Sequence, residues 1–251
     1  MQKSILRFAL TLLALLFTCQ AIAADLVVSA AASLTNAFGD LGKEFEKTKP
    51  GTKVLFNFGS SGQLLQQLAR GAPVDVFASA DQETMDTAAK QNLIVRGTRE
   101  NFTRNKLVLV VPANSALDIK SLEGLTSAGV TRIAVANPES VPVGRYSKEA
   151  LETAKLWDTL REKYITTANV RQSLDYTARG EVDAGFVYLT DALIMPSRVK
   201  VAFEVPLSTQ ILYPIAAVKG NGNEKGAREF IVYLKSETAQ KILQKYGFGK
   251  P

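Results

Sequence analysis

Short apolar runs alternate along this chain with longer stretches in which apolar residues recur every three or four positions. The spacing of Leu34, Phe38, Leu41 and Phe45, for example, places apolar side chains on one face of a helix. The alternation of strand and helix signals predicts an α/β fold with mostly parallel sheets. The runs with the length and composition of buried strands are residues 26–29, 54–58, 75–78, 106–111, 132–136, 184–188, 199–205 and 212–218.

Local chemistry marks several helix ends. The first helix stops at Pro50-Gly51, and a second helix, with leucines on one face, ends at Gly71. Asp81 is a good N-cap for the helix that follows it. We expect a further helix over about 143–155, and two helices that close the chain.

One pattern occurs twice. Residues 61–71 and residues 170–180 share Gln, Leu, Ala, Arg and Gly in the same register, and a Val-Asp pair follows each segment with a shift of one position. Two similar α/β lobes would produce this pattern, whereas the alternative is chance similarity between two amphipathic helices. In the first case, Val170 takes the helix-start position in one lobe that Ser61 takes in the other.

Two strand-to-helix junctions are rich in small and hydroxyl residues. The strand at 26–29 runs into Ala-Ala-Ala-Ser-Leu-Thr, and the strand at 54–58 runs into Gly-Ser-Ser-Gly. Helix N-termini carry free backbone N–H groups and a partial positive charge, so each junction is a potential anion site. Neither junction contains Lys, Arg, Asp or Glu. This composition favours a small, fully deprotonated anion that is bound by neutral donors.

Residues 1–23 have the parts of a secretory signal peptide. Lys3 and Arg7 give a basic start, an apolar run too short for a permanent membrane span follows, and Ala-Ile-Ala completes the segment. We expect cleavage after Ala23, with Ala24 as the alternative. We expect the mature protein to be exported as a soluble chain.

Composition narrows the function further. The formal net charge of +6 falls to +4 without the two basic residues of the leader, because no acid precedes Asp25. The charge is spread along the chain and does not indicate binding to nucleic acid.

The chain has few residues that commonly carry out catalysis or bind metals. The single cysteine, Cys19, lies in the leader, and Thr18 before it makes a poor match to the sequence required for lipid modification. With no histidine in the chain, Ser33 and Ser61 lack the common base of a serine hydrolase, and no conventional zinc site can form. We expect neither catalysis nor a cofactor.

The two junctions belong to a wider set of motifs. In order, these are Ala-Ala-Ala-Ser-Leu-Thr-Asn-Ala at 30–37, Gly-Ala-Pro-Val-Asp-Val-Phe-Ala-Ser-Ala-Asp at 71–81, Asn-Pro-Glu-Ser-Val-Pro-Val-Gly-Arg-Tyr at 137–146, Asn-Val-Arg at 169–171, Gly-Phe-Val-Tyr at 185–188 and Lys-Tyr-Gly-Phe at 245–248. Together they resemble the periplasmic molybdate-binding proteins of ABC transporters. The resemblance is collinear over essentially the whole mature chain.

The resemblance implies a two-lobed periplasmic-binding-protein fold of type II. This is an α/β fold in which each lobe has a mixed, mostly parallel sheet flanked by helices, and the ligand lies in the cleft between the lobes. We expect residues 24–104 plus 214–251 to form the first lobe and residues 105–213 to form the second. The chain would cross between lobes near 103–105 and near 212–214, where hinge motion would close the cleft.

The resemblance also implies which residues bind molybdate. Ser33 and Ser61 would contribute hydroxyl and backbone donors from the first lobe. Val143 and Val170 would contribute backbone N–H groups from the second lobe, and Tyr188 would contribute its phenol. Molybdenum is then held only as an oxyanion, with no direct ligation of the metal. Position 143 is often Ala in this family, so the extra methyl groups of valine could alter the fit.

Each of these residues also has an ordinary structural explanation. The two serines could be helix N-caps, the two valines core residues, and the tyrosine a packing residue at a strand end. Gly62 stands where some family members carry a third serine. Arg145 and Arg171 lie close to predicted helix starts, where the helix dipole disfavours cations, so we expect them to turn toward solvent or to pair with an acid.

The implied function is capture of molybdate, and of tungstate as well, in the periplasm. The implied partners are an inner-membrane ABC permease with a cytosolic ATPase, and the protein would act as a monomer without nucleic acid. The alternatives are a receptor for another oxyanion such as sulfate, a receptor for a small organic acid, and a serine hydrolase.

Overall fold

The structure is a computed structural model that describes residues 25–251, so the predicted signal peptide lies outside the described residues. The strands are β1 (Leu26–Ala31), β2 (Val54–Gly59), β3 (Val76–Ala78), β4 (Glu100–Asn105), β5 (Leu107–Pro112), β6 (Ile133–Ala136), β7 (Tyr164–Thr167), β8 (Ala184–Tyr188), β9 (Val199–Glu204) and β10 (Ile211–Ala217). The α-helices are α1 (Thr35–Thr48), α2 (Ser61–Ala69), α3 (Gln82–Lys90), α4 (Pro142–Thr153), α5 (Val170–Ala178), α6 (Leu189–Ala192), α7 (Glu224–Leu234) and α8 (Glu237–Lys245). Short 3-10 turns occur at Ala32–Leu34, Leu122–Thr126 and Arg161–Lys163.

The strands form two five-stranded sheets, one in each lobe. The first sheet has the order β2-β1-β3-β10-β4, and the second has the order β7-β6-β8-β5-β9. In the first sheet β1 is parallel to β2 and β3, whereas β10 is antiparallel to β3 and β4. In the second sheet β6 is parallel to β7 and β8, whereas β5 is antiparallel to β8 and β9. The predicted two-lobed α/β architecture is confirmed, although parallel and antiparallel pairs are equally frequent rather than mostly parallel.

Two edge strands have no counterpart among the predicted runs. Among the strands of residues 25–251, β4 pairs with β10 alone and β7 with β6 alone, so each lies at the edge of its sheet. Both include solvent-facing residues, and neither is a continuous apolar run. Hydrogen bonding to the neighbouring strand stabilises both, and a search for continuous apolar runs does not detect them.

The repeated segments form equivalent helices. α2 and α5 have nine residues each, and each is followed by Arg-Gly with the glycine at positive φ (+83° at Gly71 and +70° at Gly180). A glycine tolerates this left-handed conformation, which ends the helix and turns the chain toward the next strand. The same device thus positions β3 in the first lobe and β8 in the second.

The aspartate that follows each repeat anchors the neighbouring strand. Asp75 accepts hydrogen bonds from the backbone N–H of Val27 (2.8 Å) and from the side-chain amide of Asn221 (2.7 Å). Asp183 accepts from the backbone N–H groups of Thr131 (2.7 Å) and Arg132 (2.8 Å). Each carboxylate therefore satisfies backbone donors beside the strand that borders its own.

Aromatic side chains form much of the first lobe's core. The ring of Phe38 on α1 lies 5.7 Å from that of Phe102 and 6.0 Å from that of Phe230 on α7, and Phe45 lies 5.2 Å from Phe230. These edge and tilted contacts fix α1 and α7 against the sheet. The start of α1, where the first predicted anion site lies, is thereby held on a rigid support. Within residues 25–251, the helices are too short or too polar to cross a bilayer.

The chain passes from one sheet to the other twice. β4 ends at Asn105 and β5 begins at Leu107, and later β9 ends at Glu204 and β10 begins at Ile211. The second crossing predicted at 212–214 falls inside β10, so the strands change sheet slightly earlier than expected.

We predict that Asp75→Ala lowers the free energy of unfolding by about 1–3 kcal/mol, because a buried carboxylate and two of its hydrogen bonds are lost. Urea denaturation measures this change. Asp118→Ala is the matched control, since that side chain is 75% exposed and forms a surface ion pair with Lys120. Equal losses in the two variants would contradict the anchoring role of Asp75.

Candidate functional site

A small cavity lies where the two lobes meet. Its volume is about 10 Å³. Among the described residues, those that line it include no Lys, Arg, Asp or Glu. The lining residues are Ala31, Ala32, Ser33, Gly59, Ser60, Ser61, Ala80, Val141, Pro142, Val143, Asn169, Val170 and Tyr188. All five predicted ligand-binding residues are buried and belong to this set.

The first lobe contributes the carboxyl ends of two neighbouring parallel strands. Ala31 at the end of β1 pairs with Gly59 at the end of β2. Ser33 follows within the 3-10 turn after β1, and Ser61 is the first residue of α2. Because parallel strands end at the same sheet edge, the two junctions lie side by side and direct their free N–H groups into one space.

The second lobe contributes two helix starts and a strand end. Val143 is the second residue of α4 and follows a proline, which has no N–H group. Val170 is the first residue of α5, and the side chain of Asn169 caps this helix by accepting from Gln172 (3.0 Å). The N–H groups of both valines are therefore in first turns, where no intrahelical acceptor exists. Tyr188 ends β8, which is parallel to β6.

The hydroxyl of Ser61 has one proton free for the cavity. Its Oγ accepts a hydrogen bond from the backbone N–H of Ala80 (3.0 Å), which occupies one lone pair and leaves the hydroxyl proton to point elsewhere. The Oγ of Ser33 lies 2.9 Å from Oη of Tyr213. Neither serine is an N-cap: the N-cap of α2 is Ser60, and that of the 3-10 turn is Ala31. The capping explanation of both serines is therefore wrong.

Two buried hydroxyls in the cavity wall have no hydrogen-bond partner within residues 25–251. They are Oη of Tyr188 and Oγ of Ser60. A buried polar group without a partner costs about 1–3 kcal/mol, so such groups mark places where a ligand can supply the missing acceptor. Sequence analysis did not select Ser60. The two consecutive serines at this junction were the available signal. Which of them precedes α2 and which begins it depends on the residue at which the helix starts, and the sequence pattern does not give that residue.

Arg145 links the two lobes beside the cavity. Its Nη2 atom lies 2.6 Å from Oδ2 of Asp81 and donates to Oγ1 of Thr84 (2.7 Å). Asp81 is the N-cap of α3, as expected from the sequence, and accepts from the N–H of Thr84. The arginine charge is thus paired with an acid outside the cavity wall, as we expected.

Arg171 makes a second link. Its Nε atom lies 2.6 Å from Oδ1 of the buried Asp191, in an ion pair rather than a directed hydrogen bond. Its Nη1 atom donates to Oδ1 of Asn36 in the first lobe (2.8 Å). Burial raises the pKa of Asp191 to about 6, although the Arg171 charge opposes the rise. The guanidinium at 2.6 Å favours the charged form of this carboxyl group.

Gly62 allows a close contact between the lobes. Its N–H donates to the carbonyl oxygen of Ser140 (3.0 Å), and a Cβ atom at this position would lie 2.6 Å from that oxygen. Real Cβ atoms do not come so near to backbone oxygen. The absence of a side chain at position 62 is therefore a condition for this contact between lobes.

Within residues 25–251, no cluster of three His, Cys, Asp or Glu side chains could hold a metal ion. The chemistry that the cavity offers is instead hydrogen-bond donation from neutral groups. Burial raises the pKa of the Tyr188 phenol well above its usual value, and the nearby Tyr213, Tyr146, Asp81 and Asp191 add to the rise. Tyr188 is therefore a protonated donor across the physiological pH range.

Comparison with known proteins identifies the family. The sequence profile of the bacterial extracellular solute-binding proteins matches residues 26–249. The chain belongs to this family. It is therefore a solute-binding protein and not an enzyme, which confirms the class predicted from the sequence.

Relatives in the family include proteins named for molybdate. The chain is 39% identical over 229 residues to the molybdate-binding protein ModA of Escherichia coli K12, covering 89% of this chain and 88% of the relative. It is 36% identical over 233 residues to ModA of Haemophilus influenzae, covering 91% of both. Its structure matches the periplasmic molybdate-binding protein of Azotobacter vinelandii with a TM-score of 0.80 at 27% identity, covering 90% of this chain and 99% of the other.

We predict that the Tyr188 phenol stays protonated in the folded protein at pH values near about 10, where an exposed tyrosine ionises, because burial raises its pKa. An alkaline ultraviolet titration should give the same native curve for the wild type and for Tyr188→Phe. In urea, where all seven tyrosines are exposed, the variant should lose the amplitude of one phenol. Because the folded pKa exceeds the unfolded one, rising pH above about 10 favours unfolding. A smaller native amplitude for the variant would contradict this assignment.

Proposed function

We propose that this protein captures molybdate, and tungstate as well, in the periplasm and delivers it to an ABC permease with a cytosolic ATPase. The observation that carries the proposal is a buried cavity between the lobes whose wall offers hydrogen-bond donors and no charged side chain. The relatives named for molybdate support the choice of ligand.

In this proposal five residues bind the oxyanion. Ser33 and Ser61 donate from their hydroxyl and backbone groups, Val143 and Val170 donate from backbone N–H, and Tyr188 donates from its phenol. A hydrogen bond to a charged group contributes about 1.5–3 kcal/mol net. Five to seven of them support micromolar or tighter binding, about −8 kcal/mol, after the entropic cost of association. The metal is bound only through its oxo groups.

The wall selects for charge state as well as for size. A protonated oxyanion needs an acceptor for its proton, and the cavity wall offers no carboxylate. A small organic acid usually requires a cationic clamp, but the guanidinium groups of Arg145 and Arg171 are paired with Asp81 and Asp191 outside the wall. These features favour a compact, fully deprotonated dianion over the alternative ligands.

Contacts between the lobes support a closing motion around the ligand. The Arg145 and Arg171 links and the Gly62 contact with Ser140 form only when the lobes approach each other. We propose that residues 24–104 plus 214–251 and residues 105–213 move as two lobes, and that the permease recognises the closed monomer. Mature protein would begin after residue 23.

We predict tight binding of molybdate and tungstate by the mature chain in isothermal titration calorimetry. Calorimetry is preferable to fluorescence, since the sole tryptophan, Trp157, packs against Tyr164 (4.9 Å between ring centroids) and does not line the cavity. Tyr188→Phe should weaken molybdate binding by about 1–3 kcal/mol, roughly 5- to 150-fold. The same change removes an unpartnered buried hydroxyl, so the empty variant should be at least as stable as the wild type.

The matched control is Tyr164→Phe. That phenol donates to the backbone oxygen of Trp157 (2.8 Å), away from the cavity, so its loss should lower stability and leave affinity unchanged. Sulfate, phosphate or a small organic acid that bound the wild type as tightly as molybdate would overturn the proposed ligand.

Gly62→Ala tests the closing motion. We predict at least a tenfold loss of molybdate affinity, because the added Cβ would strike the carbonyl of Ser140 and hold the lobes apart. Gly39→Ala is the control: it lies within α1 with open space around its Cβ, so affinity should not change and stability should rise slightly. Wild-type affinity in Gly62→Ala would show that the close contact is not needed for binding.

A further inference from the structure

The Ser33 hydroxyl forms a hydrogen bond in which it could donate or accept. A hydroxyl can donate one hydrogen bond and accept two, so its partners decide which face it offers to the cavity. The Oγ of Ser33 lies 2.9 Å from Oη of Tyr213, and either group could be the donor on this distance alone. Tyr213 is fully buried on β10 and does not line the cavity.

A side-chain amide resolves the direction. Oδ1 of Asn105 accepts from the backbone N–H of Lys106 (2.9 Å), which fixes the orientation of the amide. Its Nδ2 group then faces Oγ1 of Thr190 (2.9 Å) and Oη of Tyr213 (3.2 Å). Rotating the amide by about 180° would place its NH₂ group against the backbone N–H of Lys106. It would also turn its oxygen toward Tyr213, which would then lose the hydrogen bond that Asn105 donates to it.

The phenol must therefore pass its own proton onward. Burial raises the pKa of Tyr213 well above its usual value, so the group is protonated. Its oxygen accepts from Asn105, and Ser33 is its hydrogen-bond partner on the other side. A buried O–H group requires an acceptor, and Oγ of Ser33 provides it.

We propose that Asn105 and Tyr213 are positioning residues that hold the Ser33 hydroxyl as a donor to the ligand and so exclude protonated oxyanions. This inference rests on the proposed function. Asn105 donates to Tyr213, Tyr213 donates to Ser33, and the remaining proton of Ser33 points to the cavity. Tyr213 engages one lone pair of the Ser33 oxygen and the Ser33 proton points to the cavity, so a ligand O–H group would meet a proton there rather than an acceptor.

Tyr213→Phe tests this relay. The phenylalanine keeps the ring contacts with Tyr188 (5.8 Å) and Phe248 (5.7 Å) but removes the donor to Ser33. Inorganic phosphate, which carries at least one proton at neutral pH, is the probe for a protonated oxyanion. Competition calorimetry should show that the preference for molybdate over phosphate falls about tenfold, with a gain in phosphate affinity. Loss of packing alone would weaken both ligands alike.

Asn105→Asp provides an independent variant. The carboxylate would accept the proton of Tyr213, so Ser33 would turn to donate to the phenol and present lone pairs to the anion. We expect a larger loss of molybdate affinity than in Tyr213→Phe, and a smaller effect of the same change in the Tyr213→Phe background. A fully additive double variant would mean that the new charge acts directly on the anion, which would overturn the relay.

Tyr164→Phe serves again as the control, since it removes a phenol that bonds outside the site. Unchanged selectivity in Tyr213→Phe, with tight molybdate binding by the wild type, would overturn the relay and leave the proposed function intact. Failure of the wild type to bind molybdate would overturn the proposed function instead.

Discussion

The unsatisfied N–H groups at helix starts are the constraint on which this structure depends. Each strand-to-helix junction leaves several amides without an acceptor, and burying them in a dry interface would be costly. Here the junctions after β1 and β2 in one lobe face the starts of α4 and α5 in the other. The strands of each sheet fix the spacing of these groups, so the cavity is a product of topology more than of any single side chain.

Charged groups are used for a different purpose. The arginines near the cavity join the lobes through Asp81 and Asn36, and both carry acidic partners. Electrostatic attraction therefore contributes to the approach of the lobes, whereas neutral dipoles form the wall. As a result, no flexible Lys or Arg side chain among residues 25–251 lines the cavity, and ligand binding does not require such a side chain to be ordered.

Much of the architecture was predictable because the apolar runs and helix-end residues in the sequence agree with the strands and helices of the two-lobed fold. The run at 184–188 is β8 without change of boundary, and the Gln, Leu and Arg-Gly repeat marks α2 and α5. The structure also brings the five predicted site residues to one cavity. The residue pattern alone suggested an anion site, and the family resemblance was needed to join its parts.

The remaining features depend on tertiary contacts that no local pattern encodes. β4 and β7 are edge strands stabilised by pairing, so their polar sequences resemble loops. Ser60 lies in the cavity wall because α2 begins one residue later, at Ser61. Position 62 requires glycine because the backbone of Ser140 lies against it from across the cleft. Asn105 and Tyr213 are far apart in sequence and meet only because β4 and β10 are neighbours.

The neutral wall of the cavity has a consequence for the surroundings in which the protein works. Ionic strength weakens attraction between exposed charges over roughly 10 Å at 0.1 M salt, but it has less effect on short contacts between buried groups. A pocket that binds through buried, neutral hydrogen-bond donors can therefore retain its ligand at both low and high salt concentrations. Such tolerance suits a receptor outside the cell, where no homeostasis controls the electrolyte.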